Sequence, residues 1–102
     1  MIATEENIFL LLREVIDPEL MVNIIDLGLV YKAQQNEAEK KITVEMTLTS
    51  PGCPMGEVIT KDAQEVLKAH YPDFEIAINL VWEPPWSIGH LTQLGKIALG
   101  RT

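Results

Sequence analysis

The sequence predicts one small α+β domain of order α-β-β-α-β-α, with a three-stranded mixed sheet and helices packed on one face. Three observations lead there. The chain has 102 residues, enough for a single domain spanning 1–102. Apolar residues recur at helical spacing in some segments and alternate strictly with polar ones in others. Polar or proline-containing stretches separate these segments.

Thr4 reads as an N-cap, with Glu5 and Glu6 behind it, where acids favour a helix start. Ile8, Leu11, Leu12 and Val15 then build one apolar helical face. Pro18 disfavours helical geometry at Asp17, so the helix is expected to end near there. Glu19 to Gly28 reads as an ordered loop. Leu29, Tyr31 and Ala33 alternate with Val30, Lys32 and Gln34 in a first strand, and Asn36 to Lys40 form a turn. Ile42, Val44, Met46 and Leu48 alternate with Thr43, Glu45, Thr47 and Thr49, a second strand with a buried and a polar face. The two strands are expected to pair as an antiparallel hairpin.

A second helix runs from Pro54 to about Ala69 on a stripe of Val58, Ile59, Ala63, Val66 and Leu67, and 70–73 close it. Ile76, Ile78, Leu80 and Trp82 alternate in a third strand, which puts Trp82 in the core. Glu83-Pro84-Pro85 stops it, because proline cannot donate to a ladder. Ser87 is read as the cap of a last helix carrying His90, Leu91, Leu94, Ile97 and Ala98, with Gly100 near its stop. Strand two, helix two and strand three make a crossover, right-handed by rule. Strand order stays open: strand three runs parallel beside strand two or antiparallel beside strand one.

The net charge of −7 repels phosphate backbones, and Lys40-Lys41 is the only basic pair, so no nucleic-acid partner is expected. No apolar stretch approaches membrane-spanning length, and the acidic N-terminus lacks the basic region of a signal peptide. A single cysteine cannot form an internal disulfide, which agrees with a reducing compartment; the expected location is cytoplasmic.

That cysteine is the main chemical signal. Cys53 stands in T-S-P-G-C-P-M-G, between a strand and a helix. Pro54 suits the first helical turn, which places Cys53 at the N-cap, where free amides and the helix dipole favour a thiolate. Cys53 is thus a candidate iron, cluster or sulfur contact; the competing reading is a buried thiol acting as a small hydrophobe. One thiolate cannot hold a cluster alone, so binding would share ligands with a homodimer mate, a partner or a small thiol. Thr49 and Ser50 lead into the loop and either donate to sulfur or make the turn before Pro51-Gly52.

Asp17 and Glu19 flank Pro18, as acid, base or metal ligand, or as a solvated helix-end turn. Asp26 before Leu27-Gly28 reads first as a turn former bonding its own backbone, with Gly28 supplying positive φ. Trp86 follows rigid prolines, as a partner anchor or as cover for the core's edge. His70 and His90 are too isolated for a zinc site, and Met55 reads as core filler. No catalytic triad or complete metal site is visible, so an enzyme is not the leading expectation.

D-P-E-L (17–20), D-L-G-L-V-Y (26–31), L-T-S-P-G-C-P (48–54) and V-W-E-P-P-W (81–86) follow in this order with helical runs between them. Together they resemble the PaaD/SufT-like iron–sulfur cluster assembly family, the metal–sulfur cluster biosynthesis domain, from about Leu10 to Gly100. The resemblance implies an accessory factor that assists assembly of clusters or their delivery to apo-proteins. Its implied partners are the assembly machinery and apo-protein clients, and its implied cargo is a transient cluster or iron. The family's recurring polar positions fall on Asp17, Glu19, Asp26, Thr49, Ser50 and Cys53, with Ser50 where many members carry threonine. Two alternatives stand beside it: a thiol-dependent enzyme using Cys53 as nucleophile, and an adaptor in which Cys53 is structural.

Overall fold

The computed structural model describes residues 3–49 and 56–100. Helix α1 covers Glu5–Leu12, and Thr4 caps it by accepting the Asn7 N–H at 3.1 Å. It ends earlier than the expected point near Asp17. Glu14 and Val15 still bond back to Leu11 and Leu12 in a turn. Ile16–Asp17 then forms strand β1, antiparallel to β2 at Val22–Asn23. The segment read as a loop thus holds half of a small hairpin. β-Branched Val15 and Ile16, followed by Pro18, favour extended backbone over another helical turn.

Strand β3 (Val30–Asn36) pairs antiparallel with β4 (Lys41–Met46), which pairs parallel with β5 (Glu75–Leu80), giving the order β3-β4-β5. The α+β sandwich is as expected, and β5 takes the parallel option. A register shift between Val30 and Lys32 breaks the alternation of β3, so that Leu29 and Val30 are both buried. Helix α2 is described over Gly56–His70. It packs on β5 and on α1, and α1 also packs on β3. Ile42, Val44 and Met46 of β4 meet Ile8, Leu12, Ile59, Ala63 and Leu67 in one core.

Three expectations of burial need correction. The stripe of α2 is Gly56, Ile59, Ala63 and Leu67; Val58 lies off that 3.6-residue line and is exposed. Trp82 and Leu80 are each 41% exposed rather than core: β5 ends at Leu80, its last bond to β4 runs from the Val81 N–H to the Met46 carbonyl at 2.8 Å, and Trp82 lies beyond it. Thr47, expected on the open polar face, is fully buried.

The C-terminal segment also differs. Ser87 precedes a short 3-10 helix, Ile88–His90, instead of the last helix. The Ser87 N–H donates to His90 Nδ1 at 3.1 Å, and Leu91 is extended and buried, which interrupts any continuous helix. Helix α3 covers only Gln93–Ala98, capped by Thr92, and its Leu94 and Ile97 are exposed.

The pairing of β5 fixes where its backbone points. Glu75 and Val81 donate to β4, so the even-numbered carbonyls face outward. Helix α2 reaches over them: Lys68 Nζ donates to the Phe74 carbonyl at 2.8 Å, and Gln64 Nε2 to that of Ile76 at 3.4 Å.

Candidate functional site

Parallel strands place ligands beyond their carboxyl ends, and here that end is where β4 hands over to residues 47–49. Thr47 donates its N–H to the Leu29 carbonyl at 2.8 Å, which ties this end to the start of β3. Its side-chain hydroxyl is buried and has no hydrogen-bond partner among the described residues. An orphaned buried hydroxyl costs about 1–3 kcal/mol. Thr49 follows, half-buried. Ser50 and Cys53, together with the N-cap expected at Cys53, lie outside the described residues.

Asp17 is buried, and its Oδ1 accepts the N–H groups of Glu19 at 2.8 Å and Leu20 at 3.2 Å. It therefore organises the turn between β1 and β2, where Met21 has φ of 60°. Glu19 is exposed on that turn.

Asp26 does more than the turn expected of it. The turn there is made by Asn23, whose Oδ1 accepts the Asp26 N–H at 2.8 Å. The Asp26 carboxylate instead gathers three donors from separate parts of the chain. Arg13 grips it with two N–H groups at 3.0 and 2.8 Å, from just past α1. Asn23 Nδ2 donates to Oδ2 at 2.8 Å, and Thr92 Oγ1 to Oδ1 at 2.8 Å. Thr92 also donates its N–H to the Asp26 carbonyl at 2.9 Å, while its Oγ accepts from Gly95 and caps α3. Burial pushes the Asp26 carboxyl up, but the bonds from Asn23, Thr92 and Arg13 and the Arg13 charge outweigh it, and its pKa lies below the ordinary value.

Two glycines allow this close approach. Gly28 has φ of 74°, as expected, and a Cβ there would strike the His90 carbonyl. A Cβ on Gly95 would strike the Asp26 carbonyl. Residues 84–95 thus form a C-terminal strap against the 24–31 loop, and it is held at further points. Trp86 is half-buried, packs on the core and donates its indole N–H to the Leu27 carbonyl. Tyr31 donates its hydroxyl to the Pro84 carbonyl at 2.8 Å and stacks on His90 with ring centroids 5.6 Å apart. Burial pushes the Tyr31 phenol up, so it stays a donor.

The structure thus brings Asp26 and Trp86 to one loop, 24–31, under the C-terminal strap. Asp17 sits on the adjoining hairpin, linked to Asp26 through β2 and Asn23. Arg13, Asn23, Thr92, Tyr31, His90 and the orphaned Thr47 hydroxyl were not singled out from sequence as site residues. Asn23, three residues before Asp26, carries a turn-former signal. Arg13 and Thr92 have none, since Thr92 is 66 positions from Asp26. Among the described residues no three His, Cys, Asp or Glu side chains form a group able to hold a metal. No helix among them is long and apolar enough to cross a membrane.

The profile of a family described as "Iron-sulfur cluster assembly protein" matches residues 5–79. The chain is 48% identical over 87 residues to the Fe-S protein maturation auxiliary factor SufT of Staphylococcus aureus, covering 84% of this chain and 97% of that one. It is 40% identical over 99 residues to the Fe-S protein maturation auxiliary factor YitW of Bacillus subtilis, covering 96% and 95%. A crystallised domain of unknown function from Bacillus anthracis superposes with a TM-score of 0.89 at 43% identity, covering 96% of this chain and 92% of that one.

Proposed function

Because the chain belongs to the iron–sulfur cluster assembly protein family, we propose that it is an accessory factor in iron–sulfur protein maturation, acting through contacts with the assembly machinery and apo-protein clients. The observation that carries this is near-full-length identity to two maturation auxiliary factors, at 48% and 40%. The geometry favours a docking and presenting role over an enzymatic one. Asp17 is engaged in capping a turn, and Asp26 in joining α1, the 24–31 loop and α3. A general base must be placed to take a proton, and these carboxylates hold backbone and side-chain donors instead.

In this reading Cys53 meets the cargo, an iron or a cluster in transit, and Thr49 and Ser50 flank it. A cluster needs several thiolate ligands and this chain supplies one, so the others come from the client, the donor or a second copy. Asp17, Asp26 and Trp86 brace the segment beside the carboxyl end of β4, the strand that precedes Cys53 in sequence, and Glu19 lies exposed on its turn.

The test is anaerobic activation of a cluster-requiring apo-enzyme by a loaded assembly scaffold, with and without this protein. Wild type is expected to raise the rate or yield of activation, and Cys53→Ser to remove the gain. Activation unchanged by wild-type protein refutes the proposal. A gain that Cys53→Ala retains removes the cargo contact and leaves an adaptor.

A further inference from the structure

The geometry points to a docking groove on α1 for a cationic amphipathic segment of a partner protein, a surface that no part of the maturation reading assigns. The groove has a volume of about 400 Å³ and is lined by Glu5, Glu6, Phe9, Leu10, Arg13 and Ile25. Its apolar part is Phe9, Leu10 and Ile25. Leu10 is 57% exposed, while its helix neighbours Ile8, Leu11 and Leu12 are buried. The core therefore does not use Leu10, yet it stands beside two half-buried apolar side chains that continue its surface.

Charge decides what fits. Glu5 and Glu6 stand on the rim at the first turn of α1. Arg13 is the only cation in the lining, and both of its guanidinium N–H contacts go to Asp26. Its charge is matched from within, so the rim faces an incoming molecule as two carboxylates. A second copy of this chain brings a net charge of −7, so its approach to an acidic rim is opposed overall. A segment with leucine-type side chains on one face and lysine or arginine beside them fills the apolar floor and answers the rim.

The experiment uses the full chain and a fluorescein-labelled amphipathic helix built only of leucine and lysine, read by anisotropy and by amide shift mapping. Shifts are expected at residues 5–13 and 25. Leu10→Asp and the pair Glu5→Gln with Glu6→Gln should each weaken binding roughly tenfold, as for a central anchor or a lost charge pair. Val58→Asp, at an exposed site on α2, should leave it unchanged, and thermal melts should show all variants folded. Three results overturn the proposal: affinity indifferent to Leu10→Asp, equal binding of a leucine–glutamate helix, or a dimer in sedimentation that Leu10→Asp dissolves. The last makes the occupant a second copy. None of these results touches client activation, so the maturation role stands or falls separately.

Discussion

Replacing Asp26 by alanine should remove more stability than any surface change in this chain. The carboxylate is buried and accepts two bonds from Arg13 and one each from Asn23 and Thr92, at 2.8 to 3.0 Å. Breaking a buried ion pair by deleting one partner costs about 3–5 kcal/mol. The Arg13 side chain is 36% exposed, so water recovers part of its hydration and the lower end applies, about 3 kcal/mol. For a domain of this size each kcal/mol moves the midpoint by roughly 4–8 °C, so a loss of about 12–24 °C is expected. Urea unfolding and calorimetry of Asp26→Ala and Asp26→Asn read it directly. A double-mutant cycle with Arg13→Ala should return a coupling of about 1–3 kcal/mol. A midpoint for Asp26→Asn indistinguishable from wild type would falsify the view that this carboxylate clamps the two ends of the chain.

The pH dependence has a definite sign. Asp26 titrates below the ordinary aspartate value of 3.8, so its stabilisation is complete above that value and is lost as pH falls through its lowered folded pKa. The stability gap between wild type and Asp26→Asn should therefore stay constant from pH 7 to about 3.8 and narrow below it; a gap that already narrows well above that value contradicts this. Thr47→Val removes an orphaned hydroxyl and should raise stability by about 1–3 kcal/mol in urea; lower stability shows that the hydroxyl has a partner. Gly95→Ala pushes a methyl group against the Asp26 carbonyl and should cost about 1–3 kcal/mol, with faster hydrogen exchange at the Thr92 and Lys96 amides. Unchanged exchange there refutes the close-packing argument.

Local signals carried most of the architecture. The alternation of Ile42, Val44 and Met46 and the helical spacing of Ile59, Ala63 and Leu67 reflect one-sided burial, which the chain writes directly into its pattern. The parallel placement of β5 was not legible, because alternation names the faces of a strand but not its neighbours. The same gap hid the true work of Asp26. Its neighbours Leu27-Gly28 suggest a turn, yet its donors come from 13 positions before it and 66 after it. Trp82 misled for a related reason: its spacing matches Ile76 and Ile78, but a regular repeat does not reveal where a strand parts from its sheet. The Cys53 motif lies outside the described residues, which on its strand side reach only Thr47 and Thr49 at the carboxyl end of β4.

Lys68 and Gln64, laid across the outer rim of β5, have a bearing on how this protein behaves in crowded conditions. An unguarded strand invites foreign chains to stitch themselves alongside. Here a newcomer would first have to evict a charged donor and an amide already seated on the Phe74 and Ile76 oxygens, and it would gain no vacant acceptor at either. Lys68→Ala with Gln64→Ala should leave the melting transition nearly in place yet raise the rate of thioflavin-positive aggregation; an unchanged rate refutes this.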